Sequence, residues 1–295
     1  MNVKSSKTWG DGMQKITYIN EIGKTLKFFD NPNILFEAVE GLERITGISE
    51  TSQATNQDGT TLESVRLDER PVVLKFSVKG RDYQDYLTAR DAVLRAFNPK
   101  IGGVLYYENG GIHRMLYCKP DETPEMLIDQ FKTYSKCEVN LTANDPMLYN
   151  QEESFTQLAT WVDGLKFPFK LPFHLRRRGE SKVNIYNDGH ETTPVQIIVK
   201  GPAYKPTVRL IQTGEYIQVK RELTSDDTLY IDTTFGVNSV EIERDGVREN
   251  SFSSIDWKSD FFQLQPGDNM VEYTTENDLV PQLVEVRYKE RFLGI

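Results

Sequence analysis

The sequence predicts a mainly β protein: an N-terminal, β-barrel-like domain carrying one α-helix and a β-hairpin, then a C-terminal β-sandwich. Three observations carry this expectation. The length of 295 residues suits two domains of roughly 100–200 residues each. From Val208 to Tyr288 short β-like runs alternate with sharp turns, as in VRLIQTGEYIQV, TLYIDTTFGVNSVEIERDG and DFFQLQPGDNMVEY. Turn signals every 8–12 residues or so mark a sandwich or barrel. Only Arg81–Phe97, RDYQDYLTARDAVLRAF, has a convincing helical period.

Taken in order, KITYI (Lys15–Ile19) alternates, TLKFF (Thr25–Phe29) follows a Gly23 turn, and Ile34–Gly47 mixes apolar and acidic residues. Ser49–Arg70 is a polar stretch with an Asp58-Gly59 turn, read as a long loop that is disordered or used for contact. Pro71–Gly80, PVVLKFSVKG, reads as the clearest buried strand of this half. In the helix Tyr83, Tyr86, Leu87, Val93, Leu94 and Phe97 share a face, interrupted by Arg90, and Asn98-Pro99 ends it. Val104–Tyr107 then pairs with Ile112–Cys118 across Asn109-Gly110, a type I′ hairpin signal. TYSKCEVNLTA is a further strand, closed by Asn144-Asp145-Pro146.

Periodicity fades between Met147 and Gly164, which places the domain boundary near residue 150, with domains at 1–150 and 151–295. Prolines between aromatics in Phe167-Pro168-Phe169 and Leu171-Pro172-Phe173 imply an edge or crossover. Beyond them nearly every segment is a strand candidate. Val284, Val286 and Tyr288 alternating with Glu285, Arg287 and Lys289 give one dry and one wet face.

The net charge of −9 argues against a sheath of nucleic-acid contacts. Apolar runs fall far short of a bilayer span, and MNVKSSKTWGDGMQ lacks the apolar core of a signal peptide. Synthesis in a cytosol is the expectation. Cys118 and Cys137 have neither C-x-x-C spacing nor an accompanying histidine, and read as buried thiols.

Catalytic motifs are missing from the text. His113, His174 and His190 lack metal-ligand spacing, and neither a nucleophile elbow nor a phosphate loop is present. Asp226, Asp227 and Asp232 lack the alternating ligands and central glycine of a calcium loop and read as turn residues. Glu272 and Glu276 invite a paired-carboxylate reading, but pairs are common in a chain with 44 acidic residues. Arg176-Arg177-Arg178 reads as a solvated strand end before an anion site. No catalytic residue, metal or cofactor is expected.

The order of motifs resembles the distal tail proteins of long-tailed, non-contractile bacteriophages and prophages. The matching phrases are K-G-P at Lys200–Pro202, T-G-E at Thr213–Glu215, D-T-L-x-I-D-T at Asp227–Thr233, and the hairpin Phe262–Tyr273. In the first half they are R-P-V-V-L at Arg70–Leu74, Y-C at Tyr117-Cys118 and Asp145-Pro146. Each is weak alone; their joint order is specific and covers nearly the whole chain.

The resemblance implies structural work in a virion tail tip of a phage with a Gram-positive host. Six copies form a ring through the N-terminal domain, joining the tail tube to the baseplate hub, with DNA passing through the lumen without specific binding. The implied partners are the ring itself, the major tail tube protein, the hub or tail-associated protein, the tape measure protein and receptor-binding proteins, with no membrane. The C-terminal domain would be a galectin-like jelly roll. Asn56, Asp58, Tyr107, Asn109 and Met115 are the candidates for the subunit interface, and Arg177 and Trp257 for sugar or partner contact. The competing reading is a carbohydrate-binding module for cell-wall sugar, although Trp257 lacks the histidine, asparagine and arginine cluster of a galectin site.

Overall fold

The structure is a computed structural model that describes residues 14–128, 133–159, 161–162, 177–178, 182–276 and 283–295. The proline-aromatic stretch 167–173, His174 and Arg176 lie outside the described residues. The chain divides into two compact units: Met1–Gln151 together with Phe292–Ile295, and Glu152–Arg291. The second unit is thus an insertion in the first, and the chain passes between them twice.

The first unit is built on one ten-stranded sheet. Its main path joins β1 (Lys15–Asn20), β2 (Thr25–Lys27), β3 (Ile34–Glu40), β6 (Arg70–Lys79), β7 (Gly103–Asn109), β8 (Ile112–Pro120) and β10 (Tyr134–Ala143) in the order β2-β1-β7-β8-β10-β6-β3. The short strands β9 (Glu125–Ile128), β11 (Leu148–Asn150) and Arg291–Phe292 attach beside it. Two further strands, β4 (Gly47–Ser52) and β5 (Thr61–Leu67), pair only with each other. The sheet is barrel-like without a closing ladder: among the described residues β2 and β3 are not hydrogen-bonded to each other. Aromatic side chains meet across that gap instead, because Phe28 packs edge-on against Phe36 at 5.9 Å and Phe76 at 5.0 Å.

The helix α1 (Tyr83–Ala96) packs on β6, β2 and β1. Asp82 caps its start by accepting from the Asp85 amide at 2.8 Å. At its end the Asn20 amide donates to the Arg95 and Ala96 carbonyls, both at 3.1 Å, satisfying acceptors that a helix terminus leaves open. The apolar face is shifted from the sequence reading: Tyr86, Val93, Ala96 and Phe97 are buried, whereas Tyr83 is exposed. Phe97 stacks on Tyr18 at 4.6 Å in the middle of the core. The β7–β8 hairpin turns through Gly110 and Gly111, with φ of 54° and 92°. A type I′ turn needs positive φ at both central residues, so the turn sits one residue later than Asn109-Gly110.

Arg70 is the most deeply buried charge of the first unit, 1% exposed. Its guanidinium donates to the carbonyls of Pro146 (2.6 Å), Gly41 (3.0 Å), Leu42 (3.1 Å), Arg44 (3.1 Å) and Leu293 (2.8 Å). Burial pulls its pKa down, and the five oxygens offset the lost hydration. Gly41 must approach closely for this: a Cβ there would lie 2.1 Å from the Pro71 oxygen, at a φ of +95°. Phe292 is buried in the same core, with the Arg114 guanidinium 3.5 Å from its ring centroid.

The second unit is a two-sheet sandwich. One sheet runs Ser154–Ala159, Leu283–Tyr288, Val195–Lys200, Thr228–Asp232, Ser239–Arg244, Val247–Asn250; the other runs Lys182–Asn187, Gly267–Thr274, Thr207–Leu210, Tyr216–Gln218. Alternate residues from both sheets, among them Ile197, Leu229, Val284, Val271 and Leu210, fill the space between them. Each contributes about 1.5–3 kcal/mol by leaving water. Asp260–Gln265, which reads as a strand, instead makes a single bridge through Leu264 to Thr193. Asp227 acts as the turn residue expected of it, accepting from the Thr224 amide and hydroxyl at 2.7 and 2.8 Å. It also receives both arms of Arg244, at 2.8 and 2.9 Å.

Two predictions follow from these buried charges. Arg70→Met should lower first-unit stability by about 3 kcal/mol or more, since buried carbonyls left unpaired cost about 1–3 kcal/mol each; urea unfolding followed by residue-resolved hydrogen exchange measures it. In the second unit, the hydrogen bonds from Arg244 and then Thr224 outweigh burial and hold the Asp227 carboxyl well below its ordinary value near 3.8. Its stabilisation is therefore complete above about pH 4 and drains as pH falls below that. Asp227→Asn should cost about 2 kcal/mol at neutral pH and flatten the acid limb of second-unit stability, with Arg244's exposed side limiting the size.

Candidate assembly surfaces

The polar stretch 49–70 is ordered, which corrects its reading as a loop without regular structure. β4 and β5 form a free-standing hairpin in which every strand residue is exposed or half-exposed, and none is buried. No apolar core betrays such an element in sequence. Its tip is pinned by Gln57, which accepts from the Ala54 amide at 3.2 Å and donates to the Thr61 hydroxyl at 2.9 Å. Asn56 and Asp58 lie on this tip and are exposed.

The hairpin is amphipathic. Gly47 pairs with Leu67, Ser49 with Val65 and, after a bulge that leaves Glu63 unpaired, Thr51 with Leu62. A bulge resets the side-chain alternation, so Leu62, Val65 and Leu67 line one uncharged face. The other face carries Glu50, which accepts from Ser64 at 2.9 Å, together with Arg66 and Ile48 opposite it. Leu62 is 59% and Val65 58% exposed.

A second surface, mixed in character, lies on the outward side of the main sheet, where Lys15 stands opposite Glu108 and Lys27 opposite Thr17. One cross-strand row runs Thr17, Tyr106, Met115, Tyr149; the next runs Ile19, Val104, Tyr117. Tyr117 is 48% exposed and meets Tyr149 edge-on at 5.8 Å. Across β10, β6 and β3 the outward positions include Lys75, Glu138 and Glu40, and Lys75 is ion-paired with Glu40 at 2.7 Å.

These placements sort the sequence candidates. Tyr107 and Met115 are buried, so neither presents a free side chain; Tyr107 faces the core, where its hydroxyl receives Asn109 at 3.2 Å. Asn109 is half-exposed at the β7–β8 turn. Trp257 is 82% exposed, with Lys258 Nζ 5.0 Å from its ring centroid. Arg177 pairs with Val162 through its backbone, and its side chain lies outside the described residues.

The polar groups of the sandwich mostly satisfy one another. Glu272 is paired with Lys182 at 3.2 Å and Glu276 with Lys205 at 2.9 Å, so they do not form a carboxylate pair. On the outward face of the larger sheet the Arg248 guanidinium covers the Tyr230 ring at 3.8 Å and binds Glu243 at 2.9 Å, while Arg287 binds Glu285. No cluster of metal-ligating side chains occurs among the described residues. A cleft of about 450 Å³ beside the start of α1 is lined by Asn33, Lys79, Arg81 and Asp85, and Asp85 is already engaged by Arg81 and Asn33. Cys118 lies opposite Gly103 and Cys137 opposite Phe76, on different parts of the sheet. Both are buried, and burial pushes each thiol up to about 12.

Comparisons with known proteins agree with this architecture. Residues 22–143 match the family described as phage tail protein RIFT-related domain, and residues 188–292 match the siphovirus-type tail component, C-terminal domain. The fold is similar to the crystal structure of the phage SPP1 Dit protein, with TM-score 0.69, 14% identity, and coverage of 94% of this chain and 99% of that one. It is also similar to a chain of the phage p2 baseplate in its activated conformation with strontium, with TM-score 0.55, 13% identity, and coverage of 96% and 100%. No curated protein sequence matches. The two family matches fall on the two compact units in chain order, and the chain belongs to the siphophage distal tail proteins, structural components of the phage tail.

Proposed function

We propose that six copies of this chain form a ring at the distal end of a non-contractile tail, through the first unit. The ring joins the major tail tube protein above to the baseplate hub or tail-associated protein below, with the tape measure protein and then DNA passing through its lumen. The second unit, a galectin-like outer domain, is the platform for receptor-binding proteins. Synthesis takes place in the cytoplasm of a Gram-positive host, and the product is a virion tail-tip component.

The observation that carries this reading is the free-standing β4–β5 hairpin. An isolated two-stranded hairpin is marginal in water, and this one buries none of its residues within its own chain. An arm of that kind gains its stability from another molecule. The reading also agrees with the similarity to the SPP1 protein, a paradigm of the hub adsorption apparatus in phages that infect Gram-positive bacteria. A heterologous contact, arm on one copy and receiving face on the next, closes into a ring when the rotation permits.

Of the two sugar-contact candidates, Trp257 is exposed with Lys258 Nζ 5.0 Å from its ring centroid, and the Arg177 side chain lies outside the described residues. Size-exclusion chromatography with light scattering tests the main reading. The expected mass is that of six chains, either alone or once the hub partner is added. A strict monomer at high concentration with the hub present would overturn it. Glycan binding abolished by Trp257→Ala would favour the sugar reading instead.

A further inference from the structure

We propose that the turn joining Thr228–Asp232 to Ser239–Arg244, with Phe235 at its tip and Phe252 beside its root, is the docking knob of the second unit. Its partner is a receptor-binding protein that offers an uncharged, apolar socket. The inference rests on the platform reading and says where on the sandwich the platform lies. Phe235 is 91% exposed, Val237 57% and Phe252 47%. The stretches that carry them, TTFGVNSV (Thr233–Val240) and NSFSSI (Asn250–Ile255), hold no charged residue, although 27% of the chain is charged. They lie side by side: Glu241 pairs with Asn250, and the Ser251 amide donates to the Val240 carbonyl at 2.8 Å. Of the charges bordering the patch, Asp232 accepts from Gln196 at 3.0 Å and from the Thr234 amide at 2.8 Å, and Glu241 is paired with Arg248 at 3.8 Å. Aromatic anchors set among serine, threonine and asparagine, with charge at the margin, have the composition of the centre of a protein interface.

The knob is held in place before any partner arrives. The Val237 and Asn238 amides donate to the Thr234 carbonyl at 2.9 and 3.0 Å, and Gly236 closes the turn at a φ of 80°. Behind them Thr233, 1% exposed, accepts from the Val195 amide at 2.8 Å and donates to the Val195 carbonyl at 3.2 Å. Phe252 is fixed too: its amide donates to Asn250 at 2.8 Å, and its ring stacks on Phe261 at 5.8 Å. A backbone braced in this way loses little further freedom on docking, and a phenyl ring has few rotatable bonds to immobilise. Shape decides the class of partner. A ring standing clear of its own protein is convex and fills a socket, whereas a sugar is held in a concave site by convergent polar groups. A membrane-surface contact adds Lys or Arg to the apolar side chains, and neither stretch carries one.

Binding of the receptor-binding protein encoded by the same phage, measured on the immobilised full chain, tests the docking. Phe235→Ser is expected to weaken binding at least about tenfold, the size of effect of a central aromatic anchor. Val247→Ser, at a site 63% exposed at the opposite end of the Ser239–Arg244 strand, should leave binding unchanged. Because the Phe235 side chain is exposed, its variant should keep the circular dichroism spectrum and the assembly of the unaltered chain. Equal binding by Phe235→Ser and the unaltered chain would overturn the docking and leave the platform reading standing. No binding by the unaltered chain, alone or assembled, would overturn the platform reading and the docking with it. A Phe235→Ser chain that loses ring assembly or glycan binding while still holding the receptor-binding protein would also overturn the docking. In a second measurement, Phe235→Cys should react with a maleimide in the free chain and be protected once the receptor-binding protein is added. Cys118 and Cys137 are buried with thiols pushed up to about 12, so they stay silent. A thiol equally reactive in both states would contradict the docking.

Discussion

The Arg70 guanidinium stands where separate stretches of the first unit converge, and it donates to five main-chain carbonyls. Three of these oxygens belong to Gly41, Leu42 and Arg44, the segment between β3 and the free hairpin. One belongs to Pro146, just before β11, and one to Leu293, which the chain reaches only after completing the second unit. A planar, permanently charged fork can divide itself among several acceptors in this way; a lysine ammonium has only three donors. The hub therefore fixes the root of the arm, the end of the main sheet and the return of the chain in one place. Everything proposed for the hairpin depends on that root being rigid.

The two units divide their labour along chemical lines. In the sandwich, charged outward groups pair with each other, as Arg248 does with Glu243 and Lys182 with Glu272. In the first unit the outward sheet face is mixed: Lys75, Glu138 and Glu40 stand over β10, β6 and β3, while Val104, Tyr106 and Tyr117 stand among Lys15, Glu108 and Lys27 over β1, β2, β7 and β8. Exposed apolar side chains on a free hairpin, Leu62 and Val65 among them, are a pattern that marks contact with another molecule. Among the perturbed groups, Arg70 and Asp227 are held by hydrogen bonds to neighbours, and both cysteines are buried.

Much of the fold was legible because alternation and turn chemistry are local. KITYI, PVVLKFSVKG and the Leu283–Tyr288 strand have the period of a half-buried sheet, and the helix α1 shows its Asn98-Pro99 stop. Ser49–Arg70 was not legible as a hairpin, because it buries nothing and so lacks the apolar alternation that announces a strand. Tyr107 and Met115 were attractive as interface residues for their position on the β7–β8 hairpin. Tyr107 points into the core, and Met115, on the outward side, is nonetheless buried. Arg70 was visible only as part of a motif. No local pattern reveals that its partners lie as far as 223 residues away.

The tail-tip role rests on assembly, and electron microscopy of the purified protein addresses assembly most directly. Class averages should show six-fold rings with a central opening, in the free protein or after addition of the hub partner. Particles the size of one chain under every condition, with tube and hub proteins both present, would contradict a ring built through the first unit.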